Sequence, residues 1–301
     1  MNTSELIAYA RETATIDDDS TEFPASVVMQ LMNSAMRTYF EPIVAEARSG
    51  YWLHTVTRTL AAGNPLVRLP PRHVALEQLD IRQNGGDWMA LTECIESELQ
   101  DWEREWSRAS TPQGYTLRGS YVYLSPAAST ADIQLRAKVT VRPSQLVLDQ
   151  TAGRVTAVDT ATRTITVNEL PVDRVTGEVV SGSLVIDVIE PRGWFELSLF
   201  DALAGVSGPT TFQVSSGPSL GRIEVGDYVR VAGQTDWPQL PESYHTVLGA
   251  AAAIPICVRR DMYDRSTELQ GATSAAAQRL AASLTPRTRA TTHMPLQHGW
   301  R

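Results

Sequence analysis

Leu240-Pro241-Glu242-Ser243-Tyr244-His245-Thr246-Val247-Leu248, continued by Gly249-Ala250-Ala251-Ala252-Ala253, decides how the chain is organised. Pro241 sits where the first turn of a helix accepts a proline, because its missing amide hydrogen has no carbonyl waiting for it there. Tyr244, Val247, Leu248 and Ala251 then fall on one face at helical spacing, which predicts a helix starting here. Residues before about Ser144 read as mixed helices and strands, whereas residues 144–236 read as strands alone. The stretch at Leu240 resumes the first style. The pattern implies an all-β insertion after which the chain returns to its own core, so Ser144 and Asp236 are expected to lie close in space.

The chain has 301 residues, enough for one large domain or two modest ones, each able to bury a core. Its formal net charge of -8 argues against a general nucleic-acid binder. Lys138 is the only lysine, a bias towards arginine that reads mainly as a GC-rich coding genome, with a minor benefit at interfaces where arginine forms bidentate pairs. Cys94 and Cys257 have no CxxC or Cys/His neighbourhood, which predicts two buried free thiols rather than a disulfide framework or a zinc site. No basic segment followed by an apolar run opens the chain, and no apolar stretch approaches the roughly 20 residues that cross a bilayer. A soluble intracellular product without a cofactor is expected.

Along the first unit, Thr3 or Ser4 is expected to cap a short helix carrying Leu6, Ile7 and Tyr9. Asp17-Asp18-Asp19 breaks it and lacks EF-hand spacing, so it reads as a solvated loop rather than a metal site. Residues 24–49 form the strongest amphipathic pattern, and Pro42 inside it predicts a kink or break near Tyr39. Strands are expected at residues 51–60, 66–69, 74–83 and 133–141, with a hairpin in "GYTLRGSYVYLSP" at residues 114–126. Together they predict a small antiparallel sheet against the long helix. Residues 93–108 read as an acidic helix bearing Trp102 and Trp106. Glu96, Glu98 and Asp101 beside Trp102 raise the comparison with a carbohydrate hydrolase, against which stands the ordinary reading of a solvated helix face.

From residue 147 to 231, short alternating runs at 153–158, 163–167, 183–189, 195–199, 211–214, 222–225 and 227–231 predict a barrel or sandwich. Gly217-Pro218-Ser219-Leu220-Gly221 matches G-x-S-x-G, but that chemistry needs a helix directly after the serine and none is predicted. His54, His73, His245, His293 and His298 show no i,i+4 pairing, so metalloprotease spacing is absent. After the module the opening helix is expected to run to Ile254 and stop at Pro255, with another helix over residues 259–284 and Leu269, Ala276, Leu280 and Leu284 on its apolar stripe. Residues 285–301 carry Arg287, Arg289, Arg301 and Trp300 with no acidic residue. They read either as an arm that orders on a partner or as an unstructured tail.

The order of a first helical pair, the segment "LP…V.L..L.I…G..W..L", the hairpin "GYTLRGSYVYLSP" and then "LPESYHTVLGAAAA" resembles the head-to-tail connector, or portal adaptor, proteins of tailed bacteriophages. It covers residues 1–143 and 237–284, and the β-module departs from the minimal helical pattern as an inserted β-domain. The expected fold is α+β: a helical bundle core with a small antiparallel sheet, plus the inserted barrel or sandwich at residues 144–236. The resemblance implies a structural virion protein at the head–tail interface, assembled in the host cytoplasm. It further implies a homo-oligomeric ring, usually of twelve subunits, between the portal protein and a tail, stopper or nozzle protein. DNA passes transiently through such a ring. No enzymatic activity, cofactor, metal or membrane partner is implied, and the arm bearing Arg287, Arg289, Trp300 and Arg301 becomes a portal-docking peptide. Two alternatives remain: a tail or baseplate component whose β-module binds a glycan or another tail protein, and the hydrolase already weighed.

Overall fold

The computed structural model describes residues 1–16, 22–47, 52–83, 85–96, 111–128, 133–148, 152–172, 178–191, 197–215 and 219–284. Helix α1 (Thr3–Thr13) is capped by Asn2, not by Thr3 or Ser4. The Asn2 Oδ1 accepts the Glu5 amide at 2.8 Å and a Glu5 carboxylate oxygen accepts the Asn2 amide at 2.9 Å, so each closes an open group of the other. Thr3 is used differently. It is buried, and its amide and hydroxyl both donate to the Asp236 carbonyl at 2.8 Å.

Helix α2 (Ala25–Ala35) widens into a π-turn (Met36–Phe40) before α3 (Glu41–Ala47). The irregularity lies where Pro42 predicts it, and the Glu41 amide reaches back five residues to the Met36 carbonyl. A 3₁₀ turn (Glu242–Tyr244) leads into α4 (His245–Arg259), which runs straight through Pro255 instead of stopping before it. The proline removes one ladder hydrogen bond, but Ile254, Ile256 and Cys257 on either side are buried and hold the helix together. The break falls at residues 260–262, where Asp261 adopts a left-handed φ of 57°. Helix α5 (Tyr263–Leu284) then packs back on α4, with Leu269, Thr273, Ala277 and Leu280 on its buried stripe.

Helix α4 is apolar around most of its circumference and is covered by α1, α2 and α5. The small residues set how close these neighbours come. A Cβ on Gly249 would sit 2.8 Å from the Tyr9 ring, so the α1–α4 approach requires glycine.

Two sheets, not one, complete this unit. The first has the order β1 (Leu53–Thr59), β8 (Ile133–Val141), β3 (His73–Gln83), β4 (Met89–Ala90), all antiparallel. Ile133, Leu135, Ala137, Val139 and Val141 of β8 alternate inward, as their period of two requires. The second has the order β2 (Leu66–Arg68), β7 (Tyr121–Ser125), β6 (Gly114–Arg118), β5 (Thr92–Glu93), and its β5–β6 pair is parallel. Glu93 therefore lies in a strand, while the rest of the expected acidic helix falls largely on residues 97–110, outside the described residues. Leu79, Ile81, Val122, Leu124 and Ile133 from the sheets share one hydrophobic cluster with Leu6, Met32, Phe40 and Leu248 from the helices. The expected helical bundle with an accessory sheet is thus a core built jointly by helices and sheets.

The all-β stretch is a barrel. Strands β10 (Gly153–Asp159), β11 (Thr164–Val167), β14 (Thr211–Val214), β13 (Leu197–Gly208), β12 (Ser183–Ile189) and β15 (Tyr228–Val231) neighbour one another in that order, and β15 closes on β10 through Gly153 and Val229. Closure removes the exposed edges that a sandwich would leave. Val155, Ile165, Ile186, Val188, Leu199, Phe212 and Val229 fill the interior as a second hydrophobic cluster. Strand β13 runs well past the expected residue 199, bending at Asp201, whose φ is 45°. The strand expected at residues 222–225 is a turn, closed by the Ile223 amide on the Leu220 carbonyl and the Glu224 amide on the Asp227 carboxylate.

Candidate functional site

The densest polar chemistry among the described residues lies where the barrel meets the core. The chain crosses between them twice, and the crossings run side by side as the parallel pair β9 (Gln145–Leu146) and β16 (Gln234–Thr235). The Gln145 amide donates to the Gly233 carbonyl at 2.8 Å and the Val147 amide to the Thr235 carbonyl at 2.7 Å. Ser144 is held by the Gln239 side chain at 2.6 Å, so the two ends of the β-rich stretch meet. From α2, Asn33 brackets Leu146, its amide nitrogen donating to the carbonyl and its oxygen accepting the backbone amide. Asp236 pairs with the buried Arg230 of β15 at 3.0 Å while its carbonyl receives Thr3, which joins the barrel, the return crossing and α1.

Arg72 forms the other side of the joint. It follows Pro70 and Pro71 in the β2–β3 loop of the core and reaches two barrel strands. Its Nη2 donates to both Asp187 oxygens at 2.9 and 2.7 Å and to Asp201 Oδ1 at 2.9 Å, and its Nη1 donates to the Ser144 hydroxyl at 2.9 Å. The guanidinium lies 4.7 Å from the centre of the Phe200 ring, and His54 stacks on that ring at 5.0 Å. Asp187 is wholly buried and also accepts the Gly233 and Asp201 amides, each at 2.9 Å. Burial pushes its carboxyl pKa up, and the Arg72 charge pulls against that shift. His54 is held down to about 4, first by burial and then by the charges of Arg72 and Arg222. It is therefore neutral at physiological pH and stacks as an uncharged ring.

His245 is structural as well. It is buried at the start of α4, its Nδ1 lying 3.0 Å from the Met1 amine and its Nε2 3.0 Å from the Leu240 carbonyl. An ammonium only donates and a carbonyl only accepts, so Nδ1 is the acceptor and Nε2 carries the proton. Burial, followed by the Met1 charge, lowers its pKa to about 4. His73 places Nδ1 2.7 Å from the Pro70 carbonyl. Ser219 accepts the Gly221 amide through its hydroxyl at 3.3 Å and has no following helix among the described residues. Gly217 and Pro218 lie outside them.

Glu96 is engaged by Arg118, whose Nη2 and Nε donate to its two oxygens at 2.6 and 3.1 Å. Glu98, Asp101, Trp102, Trp106, the Asp17-Asp18-Asp19 cluster, His293, His298 and the arm residues Arg287, Arg289, Trp300 and Arg301 fall outside the described residues. Cys94 and Cys257 are buried free thiols. Among the described residues, no cluster of His, Cys, Asp or Glu has metal-binding geometry, and no helix is long and apolar enough to cross a membrane. A groove of about 370 Å³ between α2 and α4 is lined by Phe23, Val27, Leu31, Pro255, Val258 and Arg259.

Residues 1–166 match the SU10 adaptor protein family. The chain belongs to the SU10 adaptor protein family. It is accordingly a member of a phage adaptor family, whose proteins are structural parts of the virion. The match spans α1 to β9 and continues into the first barrel hairpin, so it covers the first stretch of the resemblance (residues 1–143), runs past it, and does not include the second (residues 237–284). Helices α4 and α5 of this adaptor lie outside the matched stretch. No curated protein matches the chain.

Sequence reasoning missed Arg72, Asp187, Asn33 and Gln239. Two signals were available. Asp187 interrupts the apolar run "LVIDVI", where a charge needs a buried partner, and Arg72 follows a double proline that stiffens its approach. Neither signal names the other residue, because the two lie 115 positions apart in sequence.

Proposed function

We propose that this adaptor forms a ring that joins the portal to the tail and lines part of the DNA conduit. The observation that carries the reading is the family match over residues 1–166, which takes in most of the strands and helices that build the main core. On this reading residues 1–143 and 237–284 form the ring-building core, residues 144–236 form an inserted barrel that decorates the ring, and residues 285–301 are the portal-docking arm. Arg287, Arg289, Trp300 and Arg301 supply the arm's charge and its aromatic anchor, the residue types that dominate interface energetics. Neighbouring copies meet through unlike faces, as a closed ring requires, and twelve is the expected subunit number. The acidic chain suits a conduit, because a strongly basic wall would retain the phosphate backbone.

The decisive experiment mixes the purified full chain with the portal protein and examines the product by native mass spectrometry and electron microscopy. A closed ring seated on the portal is expected. Truncation after Leu284 should leave a folded protein that no longer docks, and docking retained by that truncation rejects the arm assignment. Localisation of the protein elsewhere in the particle rejects the adaptor reading itself. The barrel has a role in this scheme as a second contact: Val185 and Leu203 are cross-strand partners on its wall and are 40% and 53% exposed, a pair suited to covering by another virion protein.

A further inference from the structure

We propose that Arg72 is a latch that holds the barrel in one orientation on the core, across a paired crossing that acts as a hinge without it. The β9–β16 pair is two residues long in each strand, and it fixes where the barrel attaches more firmly than how the barrel is turned. The barrel also contributes Ile189 and Leu197, with Phe200 at their margin, to the main hydrophobic cluster. Apolar contact of that kind is non-directional. Arg230 ties the barrel to the return crossing through Asp236, and Arg72 supplies the directed bonds that run from a core loop straight to the barrel strands, its planar donors fitting one arrangement of acceptors.

The latch joins four parts of the molecule at a single guanidinium. Arg72 belongs to the core loop, Asp187 to β12, Asp201 to β13 and Ser144 to the first crossing. The second crossing enters through Gly233, whose amide donates to Asp187. Gly233 adopts a left-handed φ of 83°, which favours glycine, and it runs beside Arg72, where a Cβ would make ordinary contact with Cδ at 3.5 Å. Asp201 is held at a φ of 45°, which places both its amide on Asp187 and its carboxylate on Arg72. Aspartate keeps such a conformation when its surroundings dictate it. Without the cation, Asp187 and Asp201 would face each other as two carboxylates in a largely buried site, and the surface between barrel and core would separate.

Amide hydrogen exchange on the full chain, combined with small-angle scattering, tests the latch. Two variants are compared with the natural protein: Arg72→Ala, and the triple variant Arg72→Met with Asp187→Asn and Asp201→Asn, which removes the cation together with both carboxylates it pairs. The expected result is loss of protection at the Gln145 and Val147 amides together with an increased maximum dimension. The barrel strands and α4 keep their protection. Unchanged exchange at the joint in the folded triple variant overturns the proposal. So does a uniform rise in exchange over core and barrel, or a triple variant that fails to fold, because Arg72 would then be a residue of the fold and not of its orientation.

Discussion

The main core and the barrel are built by opposite strategies. The main core is assembled from distant parts of the chain: α1 and α2 at one end and α4 and α5 at the other, with two sheets between. The barrel is assembled from one continuous stretch, and each of its strands pairs within it. The first arrangement needs long-range closure before burial repays the ordered backbone, whereas the second closes through shorter loops. The two interiors are distinct hydrophobic clusters, and their connection combines the ion pairs of Arg72 and Arg230 with the barrel residues Ile189 and Leu197, which join the main cluster. If residues 144–236 are an insertion, as proposed, the main core has to close around the points of entry and return, while the barrel can fill its interior from its own stretch.

The largest effect comes from emptying one core and watching the other. Phe212 is fully buried in the barrel and Leu248 in the main core, and Phe212→Ala is expected to cost about 3–5 kcal/mol and Leu248→Ala about 2–5 kcal/mol. If the cores are energetically distinct, Phe212→Ala lowers the melting of the barrel while the helical circular-dichroism signal persists to the natural midpoint. A single shared transition in both variants breaks the distinction.

Acid should act on the main core through His245. Unfolded, this histidine takes a proton near its ordinary 6.5, and in the folded chain only near about 4. The folded state therefore binds fewer protons in that window. Its contribution is complete above about pH 6.5 and is lost as pH falls towards 4, by roughly 3 kcal/mol. Urea midpoints measured across the window should fall with pH, and the fall should shrink in His245→Gln. His54 adds a loss of the same sign at the joint, so the variant keeps a residual slope.

A smaller effect tests the close approach of α1 to α4. Gly249→Ala pushes a methyl group into Tyr9 and should destabilise by about 1–3 kcal/mol despite alanine's better helix propensity. A variant more stable than the natural protein would show that α1 yields easily, and would weaken the picture of α4 as the centre of packing. The smallest effect is at the start of α1, where Asn2→Ala should cost about 1 kcal/mol, read from the thermal midpoint.

Much of the strand layout was legible because alternation in the sequence reports directly on the two faces of a strand. Residues 133–141 show this best, every second residue of β8 being buried as expected. The irregular turn before Pro42 was legible for an equally local reason, the missing amide hydrogen. Local rules failed where burial overrode them. Pro255 does not end α4 because its flanking residues are buried, and β13 passes Asp201 because neighbouring strands and Arg72 hold it there.

The stretch at Leu240 shows the same division. By itself the sequence determined that a helix begins after Pro241 and that a strand-rich region precedes it. Periodicity and turn chemistry carry that information over a few residues. Only the tertiary structure decided that the strands close into a barrel, that the helices and sheets share one core, and that Arg72 meets Asp187 and Asp201. Those outcomes depend on which distant groups satisfy one another when water is removed, and no local pattern encodes the partner of a buried charge.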